Sequence, residues 1–472
     1  MNKNTNHMPI ANHVKLSQGL AINALTRHLV SDIQTKKYPH KLLKIASMQS
    51  EQYNMYISAD VSTSVLACEN DIIYTRTGQV GEVFRGFTGV LHNNSFKVEL
   101  ADETFDNDYL EVILKSPFVK KQALQLCSNS MQPDLTHGLF RQIIVPYFPT
   151  DLQRKIAKII KTLDHKIALN NAINAELENT ARTLYDYWFT QFDFPDTSGK
   201  PYKSSGGEMV WNEQLKREIP KGWEAKQLGC LGTFHNGVNY SKGEGGSTET
   251  KIVNVRDISA SSTFIDIEKC DVLSLDSKII DKFTLTADDL LIARSGIPGS
   301  VRLIFSTPNK VIYCGFSIRF SLEKKKLKNY ILFVLKNIET STTKRATGSI
   351  LKNVSQDTLK EYVVVLPQDE VTEKFNVAIE PLFSGVIGMI KENEELTTLR
   401  DFLLPLLMNG QVTIGKPQAK KPTKPKSKQI KSTGFDPARF QEWKKQIGIA
   451  ARGDIDEQTL KNMYEAMDAD EK

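Results

Sequence analysis

Two segments of this chain, DIIYTRTG (71–78) and DLLIARSG (289–296), are versions of one another set 218 residues apart. The register holds well beyond them. It places Gly81 over Gly299, Val83 over Val301, Gly19 over Gly237, Pro149 over Pro367 and Asp151 over Asp369. Past that point the spacing becomes 219, and two rows of matched positions step by seven. One row is Ile156, Leu163, Asn170, Leu177 and Leu184 against Phe375, Leu382, Met389, Leu396 and Leu403. The other is Ile160, Ile167, Asn174, Ala181 and Trp188 against Ile379, Val386, Asn393, Arg400 and Leu407. Rows offset by four and repeating every seven residues form a heptad seam on a long helix.

Each half therefore carries one plan: a mixed segment with short β-branched runs, then a long amphipathic helix. The strand candidates are DIIYTR and QIIVPYF in the first half, and KIVNV, DLLIARS and YVVVLP in the second, separated by Gly-, Asn- and Asp-rich turns. The predicted fold class is α+β: a strand-rich lobe and helix in tandem duplication, the helices burying their seams against each other as an antiparallel coiled coil. Pro381, Gly385 and Gly388 predict a kink or a late start in the second helix. Asn174 and Asn393 share a seam position, where a buried Asn fixes register; a wet edge of the seam fits them equally.

A chain of 472 residues exceeds one core, so two or three domains are expected. With 40% hydrophobic and 25% charged residues it reads as soluble and globular. It has no apolar run of membrane-spanning length and no signal-peptide stretch at its start. The five cysteines are scattered, which suits a reducing cytoplasm. The net charge of +6 is unevenly held. Residues 415–432 carry seven lysines and no acid, and 435–472 are net acidic, so the body is near neutral. Nucleic-acid binding by that body needs local basic surfaces. A twofold scaffold whose turns match while its intervening stretches diverge suits a ligand repetitive in shape and variable in detail. Double-stranded DNA with two half-sites is such a ligand.

Several stretches resemble the specificity subunits of Type I restriction-modification systems: NDIIYTRTGQVG with DDLLIARSGIPG, PTDLQRKIAKIIKTLDHKIALNNAINAELENTARTLYDYWF, the link IPKGWEAKQLG, and LTTLRDFLLPLLMNGQV. The resemblance covers about residues 10–414, and its specificity lies in the order of the motifs, met twice. It implies this layout: a first target recognition domain (1–150), a spacer helix (151–192), a connecting segment (193–222), a second recognition domain (223–368) and a second spacer helix (369–410). Outside the resemblance, composition alone reads 411–434 as a Lys/Pro-rich linker and 435–472 as a small helical appendage without an assigned role.

The resemblance further implies a non-catalytic, sequence-specific reader of a bipartite DNA target. Its helices would dock two methyltransferase subunits, restriction subunits would join them, and the complex would direct adenine methylation and restriction. S-adenosylmethionine, ATP and Mg would be used by those partners and not by this chain. Three other readings remain open at this point: the specificity chain of a Type IIB-like restriction–methylation enzyme, a coiled-coil scaffold that binds no DNA, and an unrecognised metal-dependent nuclease. The sequence independently lacks NPP, GxGxxG and GxxxxGK[ST] motifs, and its eight histidines form no HxxxH or HExxH pair.

The candidate DNA contacts follow from position. Arg76 and Arg294 end apolar runs at Gly-supported turns, from which each could meet phosphate or guanine. Because both copies keep them while specificity should differ, the structural role is favoured, each holding its own turn by pairing with an internal carboxylate such as Asp71 or Asp289, and a DNA contact would be to phosphate before base. Base readers belong where the copies differ: Lys36, Lys37, Gln79, Arg85, His92 and Asn93 in the first lobe, and Asn239, Tyr240, Lys242, Arg256, Arg302, Lys344 and Arg345 in the second. The aromatic run LYDYWFTQFDF (184–194) reads as hydrophobic packing, with base stacking as the rival.

Overall fold

The computed structural model describes residues 6–127, 133–240, 246–305, 309–345 and 354–411, with residue 6 and residues 340–345 as backbone only. Lys242, the Lys/Pro-rich run and the appendage lie outside the described residues. Among the described residues the chain divides into two compact units, 6–167 with 395–411, and 168–394.

In the first unit, four strands pair in the order Val14–Gln18, Ser95–Leu100, Ile72–Thr75, Val83–Phe84. In the second, the order is Gly232–Asn236, Ser317–Leu322, Asp289–Ala293, Val301–Arg302. These are the same sheet built twice. Each unit also pairs an early strand with a late one: Asn6–Pro9 with Ile144–Tyr147, and Glu224–Gln227 with Val363–Leu366. A further sheet in each, of five strands in the first unit and three in the second, contains one parallel step, Leu42 beside Val90 and Ile252 beside Ile312. The central strands are buried along their length, Ile72, Ile73 and Tyr74 in one copy and Leu290, Leu291 and Ile292 in the other. Unbroken β-branched and aliphatic runs are the composition such doubly covered strands require.

The repeated glycines have specific work. Gly78 and Gly296 adopt φ of +77° and +76°, and Gly81 and Gly299 adopt +91° and +89°, conformations that a Cβ disfavours. They fold the turn back so that Gly81 N–H reaches the Thr75 carbonyl at 3.2 Å and Gly299 N–H reaches Ala293 at 2.9 Å. Gly19 and Gly237 serve close approach. A Cβ there would lie 2.2 Å from the His92 carbonyl oxygen and 2.3 Å from that of Cys314.

The first long helix is Thr150–Tyr185, prolonged by one π-helical turn, Asp186–Thr190. The second, Asp369–Met408, does not start late and continues without a break through Pro381. Pro381 removes one bond, to the carbonyl of Val377, a residue whose side chain is 70% exposed. Gly385 admits Leu177, whose Cδ1 would stand 3.1 Å from an added Cβ, so that glycine serves helix contact. Partners descend one helix as they climb the other. In the second unit Asn170 meets Asn393, Leu177 meets Gly385 and Trp188 meets Phe375; in the first, Asp164 pairs with Arg400. The helices are antiparallel within each unit.

The seam positions divide by depth. Ile156, Leu177, Leu184, Phe375 and Leu382 are buried, while Leu163, Asn174, Met389, Asn393, Leu396 and Leu403 are half-buried. The aromatic run is core: Tyr185, Trp188, Phe189, Phe192 and Phe194 are buried with Trp223, Tyr330, Phe333 and Phe375. Phe189 meets Phe375 edge-on at 4.8 Å between centroids, so these rings are spent on packing. No helix among the described residues is long and apolar enough to cross a membrane.

Candidate nucleic-acid interface

The two arginine turns share a backbone and differ in their side-chain surroundings. Arg76 N–H donates to the Asn94 carbonyl and Arg294 N–H to that of Phe316; in return each arginine carbonyl accepts from Leu135 or Val354. Beyond the backbone the likeness ends. The Arg76 guanidinium forms a fork on Asp134, Nε to Oδ1 at 2.8 Å and Nη2 to Oδ2 at 2.6 Å, and Nη1 donates to Gln18 at 3.0 Å. Gln18 in turn donates to the Asn93 carbonyl at 2.8 Å, which ties three polar residues into one network. Arg294 has one side-chain contact, Nη1 to the Gly315 carbonyl at 3.4 Å, and no carboxylate partner among the described residues.

The carboxylates first considered for these arginines act elsewhere. Asp71 accepts from the Cys68 N–H, and Asp289 accepts from the Thr286 N–H and hydroxyl; both fix the turn before their strand. Asp71 also stands 3.6 Å from the Lys97 ammonium.

Other candidates are spread over their lobes. Lys36 and Lys37 are exposed on the turn Thr35–Tyr38, with the Lys37 ammonium over the Tyr38 ring. Gln79, exposed at the tip of the arginine turn, accepts from Gln49. Arg85 is half-buried between Asp108 and Glu111; burial disfavours its charge, but the two carboxylates outweigh that and raise its pKa. His92 is held below the ordinary imidazole range by burial, and its Nδ1 accepts from the Asn94 N–H. Asn93 is exposed.

In the second lobe the Tyr240 hydroxyl donates to Asn254. Arg256 is exposed and bonded to Asp271 and Asp257. Arg302 is 7% exposed and saturated by the Ser261 and Val301 carbonyls and by Glu339. A guanidinium so enclosed braces its unit's interior. Lys344 and Arg345 close the helix Lys328–Arg345, where only the backbone is described.

One constellation gathers side chains around open space. Arg294, Asn236, Asn239, Gly315 and Phe316 line a cavity of about 200 Å³. Phe316 is 65% exposed, and Asn236 and Asn239 are exposed beside it. Sequence reasoning picked Arg294 and Asn239 and missed Asn236 and Phe316. For Phe316 the cause is register: Ser95 and Ser317 occupy the same sheet position but are 222 residues apart, so the 218 alignment does not place Phe316 over Asn94; Asn236 does lie over Gln18 at 218, and no local signal marked it.

A second cavity of about 510 Å³ lies within the second unit, between the helix pair and the 260–269 segment; Asn174, Glu178, Arg182, Asp266, Lys336 and Asn393 contribute to its walls. Burial pushes the Lys336 amine down to about 8, against the opposing pull of Glu178.

A family model described as the Type I restriction modification DNA specificity domain matches residues 31–179. The MjaIX specificity subunit of a Type I restriction enzyme from Methanocaldococcus jannaschii is 26% identical over 355 residues, 73% of this chain and 78% of its own length. The MjaVIII specificity subunit from the same organism is 22% identical over 74% of this chain and 81% of its own length. A crystal structure of a Type I restriction-modification S subunit from M. genitalium superposes with a TM-score of 0.50 at 15% identity, covering 86% of this chain and 97% of that one. The shared fold and the matched relatives agree: this chain is similar, over most of its length, to the specificity subunits of Type I restriction-modification systems.

Proposed function

We propose that the protein is a non-catalytic DNA sequence reader in which each lobe takes one half of a bipartite duplex target. The observation that carries this reading is the duplicated sheet, which ends in the same arginine turn twice yet surrounds it with different polar side chains. A common backbone supplies a common docking pose, and the divergent side chains supply different base preferences. The long helices are the docking surface for two methyltransferase subunits, which restriction subunits join. The assembly directs adenine methylation and, on unmethylated DNA, cleavage. S-adenosylmethionine, ATP and Mg act in those partners.

The test is a single-molecule methylome of the host with and without this gene, the methyltransferase subunit being expressed in both. Loss of methyladenine at one split motif, two short blocks around a fixed gap, is the expected result. An unchanged methylome would overturn the reading.

A further inference from the structure

The two arginine turns are the same device in two electrical states. In the first lobe the Arg76 charge is consumed by the Asp134 fork and a third bond to Gln18. In the second, Arg294 keeps the same backbone bonds, but its guanidinium touches only one carbonyl, at 3.4 Å. The described neighbours supply no acid. The lobe-to-lobe match of Leu135 with Val354 places Asn353 at the sequence position of Asp134, an uncharged amide in place of a carboxylate. A guanidinium has five N–H donors and stays charged at any working pH. One long carbonyl contact leaves most of them facing the cavity.

The rest of the cavity wall differs between copies in the same sense. Gly315 replaces Asn93, and its missing Cβ makes room for the Asn239 amide, whose Oδ1 would stand 1.9 Å from such an atom. Phe316 replaces Asn94 and presents an exposed ring at the rim. Asn236 replaces Gln18, the residue that helps restrain Arg76 in the first lobe. The cavity of about 200 Å³ has room for several waters at roughly 30 Å³ each, enough for a tetrahedral anion.

We propose that the cavity around Arg294 is a phosphate-contact site of the second lobe. There a DNA backbone phosphate would accept from Arg294 and Asn239, with Phe316 against the adjoining sugar, and the first lobe has no equivalent because Asp134 neutralises Arg76. This rests on the DNA-reading function proposed above. Phosphate is favoured over a base edge because Arg294 is half-buried at a strand end, held by its own main chain, and does not project from the surface as a groove reader must.

The test is the salt dependence of duplex binding by the full chain, using a labelled duplex with the methylome-derived motif and a scrambled duplex of equal length. Arg294→Gln should weaken binding to both duplexes by the same factor and reduce the slope of log K against log salt by about 0.9, one phosphate contact. Asp134→Asn should steepen the slope by a similar amount by releasing Arg76. Arg76→Gln should lower the unfolding midpoint and leave the slope unchanged. An unchanged slope in Arg294→Gln would overturn the proposal, as would lost preference at one base with the slope intact. Failure of the wild-type chain to bind either duplex would instead overturn the DNA-reading function itself.

Discussion

At the scale of single residues, the identity of a cation says little until its partner is known. Arg76, Arg85 and Arg302 have side chains fixed by residues 58, 23 and 37 positions away, so no local pattern marks them as internal braces. Glycines are the opposite case, because their constraint is local geometry. Gly237→Ala would thrust a Cβ to 2.3 Å from the Tyr313 and Cys314 carbonyl oxygens and should cost about 1–3 kcal/mol. Gly388→Ala meets nothing within 4 Å and should stabilise the helix by up to about 1 kcal/mol. Urea denaturation of the two variants checks both signs. The turn glycines were therefore legible in the sequence, while the fate of each arginine was not. Glu394 carries a pH effect: burial first, then the Asp266 carboxyl beside it, raise its pKa to about 7. A folded-state pKa above the unfolded value favours folding with the proton bound. This contribution is complete below about 4.5 and is lost as pH rises through about 7. Glu394→Gln should flatten the stability profile across that window, as read by denaturant midpoints at a series of pH values.

At the scale of elements, the heptad rows located both helices because burial imposes the period on the sequence. What the rows could not give was which asparagines meet. Asn174 and Asn393 hold the same seam position in the repeat, but antiparallel pairing sets each row against the opposite end of its counterpart. It is Asn170, fully buried, that donates to Asn393 at 2.9 Å and to Glu392 at 2.7 Å, while Asn393 donates to Asn171. Asn170→Leu should strip Asn393 Oδ1 of its donor and cost about 1–3 kcal/mol. Adding Asn393→Leu should recover much of that loss, since a wholly apolar seam is more stable and less particular about register. A double-mutant cycle on unfolding midpoints reads the coupling, and strict additivity would count against a direct pair. The unbroken helix through Pro381 was illegible for a related reason: a proline is tolerable when the carbonyl it orphans is on the exposed side, and exposure is a tertiary property.

At the scale of the whole molecule, the two long helices run through both units. Inserting one heptad after Ile167 and another after Glu394 preserves the seam and adds roughly 10 Å at about 1.5 Å per residue. If the proposed bipartite reading holds, then at 3.4 Å per base-pair step this should widen the gap of the methylated motif by about three base pairs and leave its two blocks unchanged. A methylome with altered blocks and a fixed gap would refute the helices as a ruler. The duplication, the strand runs and the helices were thus readable from one chain, because each is written in periodic apolar positions. The sheet order and the four-residue shift between its copies were not, because long-range pairing leaves no local trace. The core of the first unit includes Leu404, Leu407 and Met408 beside Ile156, Ala157 and Ile160. During synthesis the ribosome must therefore add nearly the whole second half of the protein before that core can close. At about 5–20 residues per second the delay is on the order of tens of seconds, during which the nascent first lobe keeps an apolar flank uncovered and is a natural client for a chaperone.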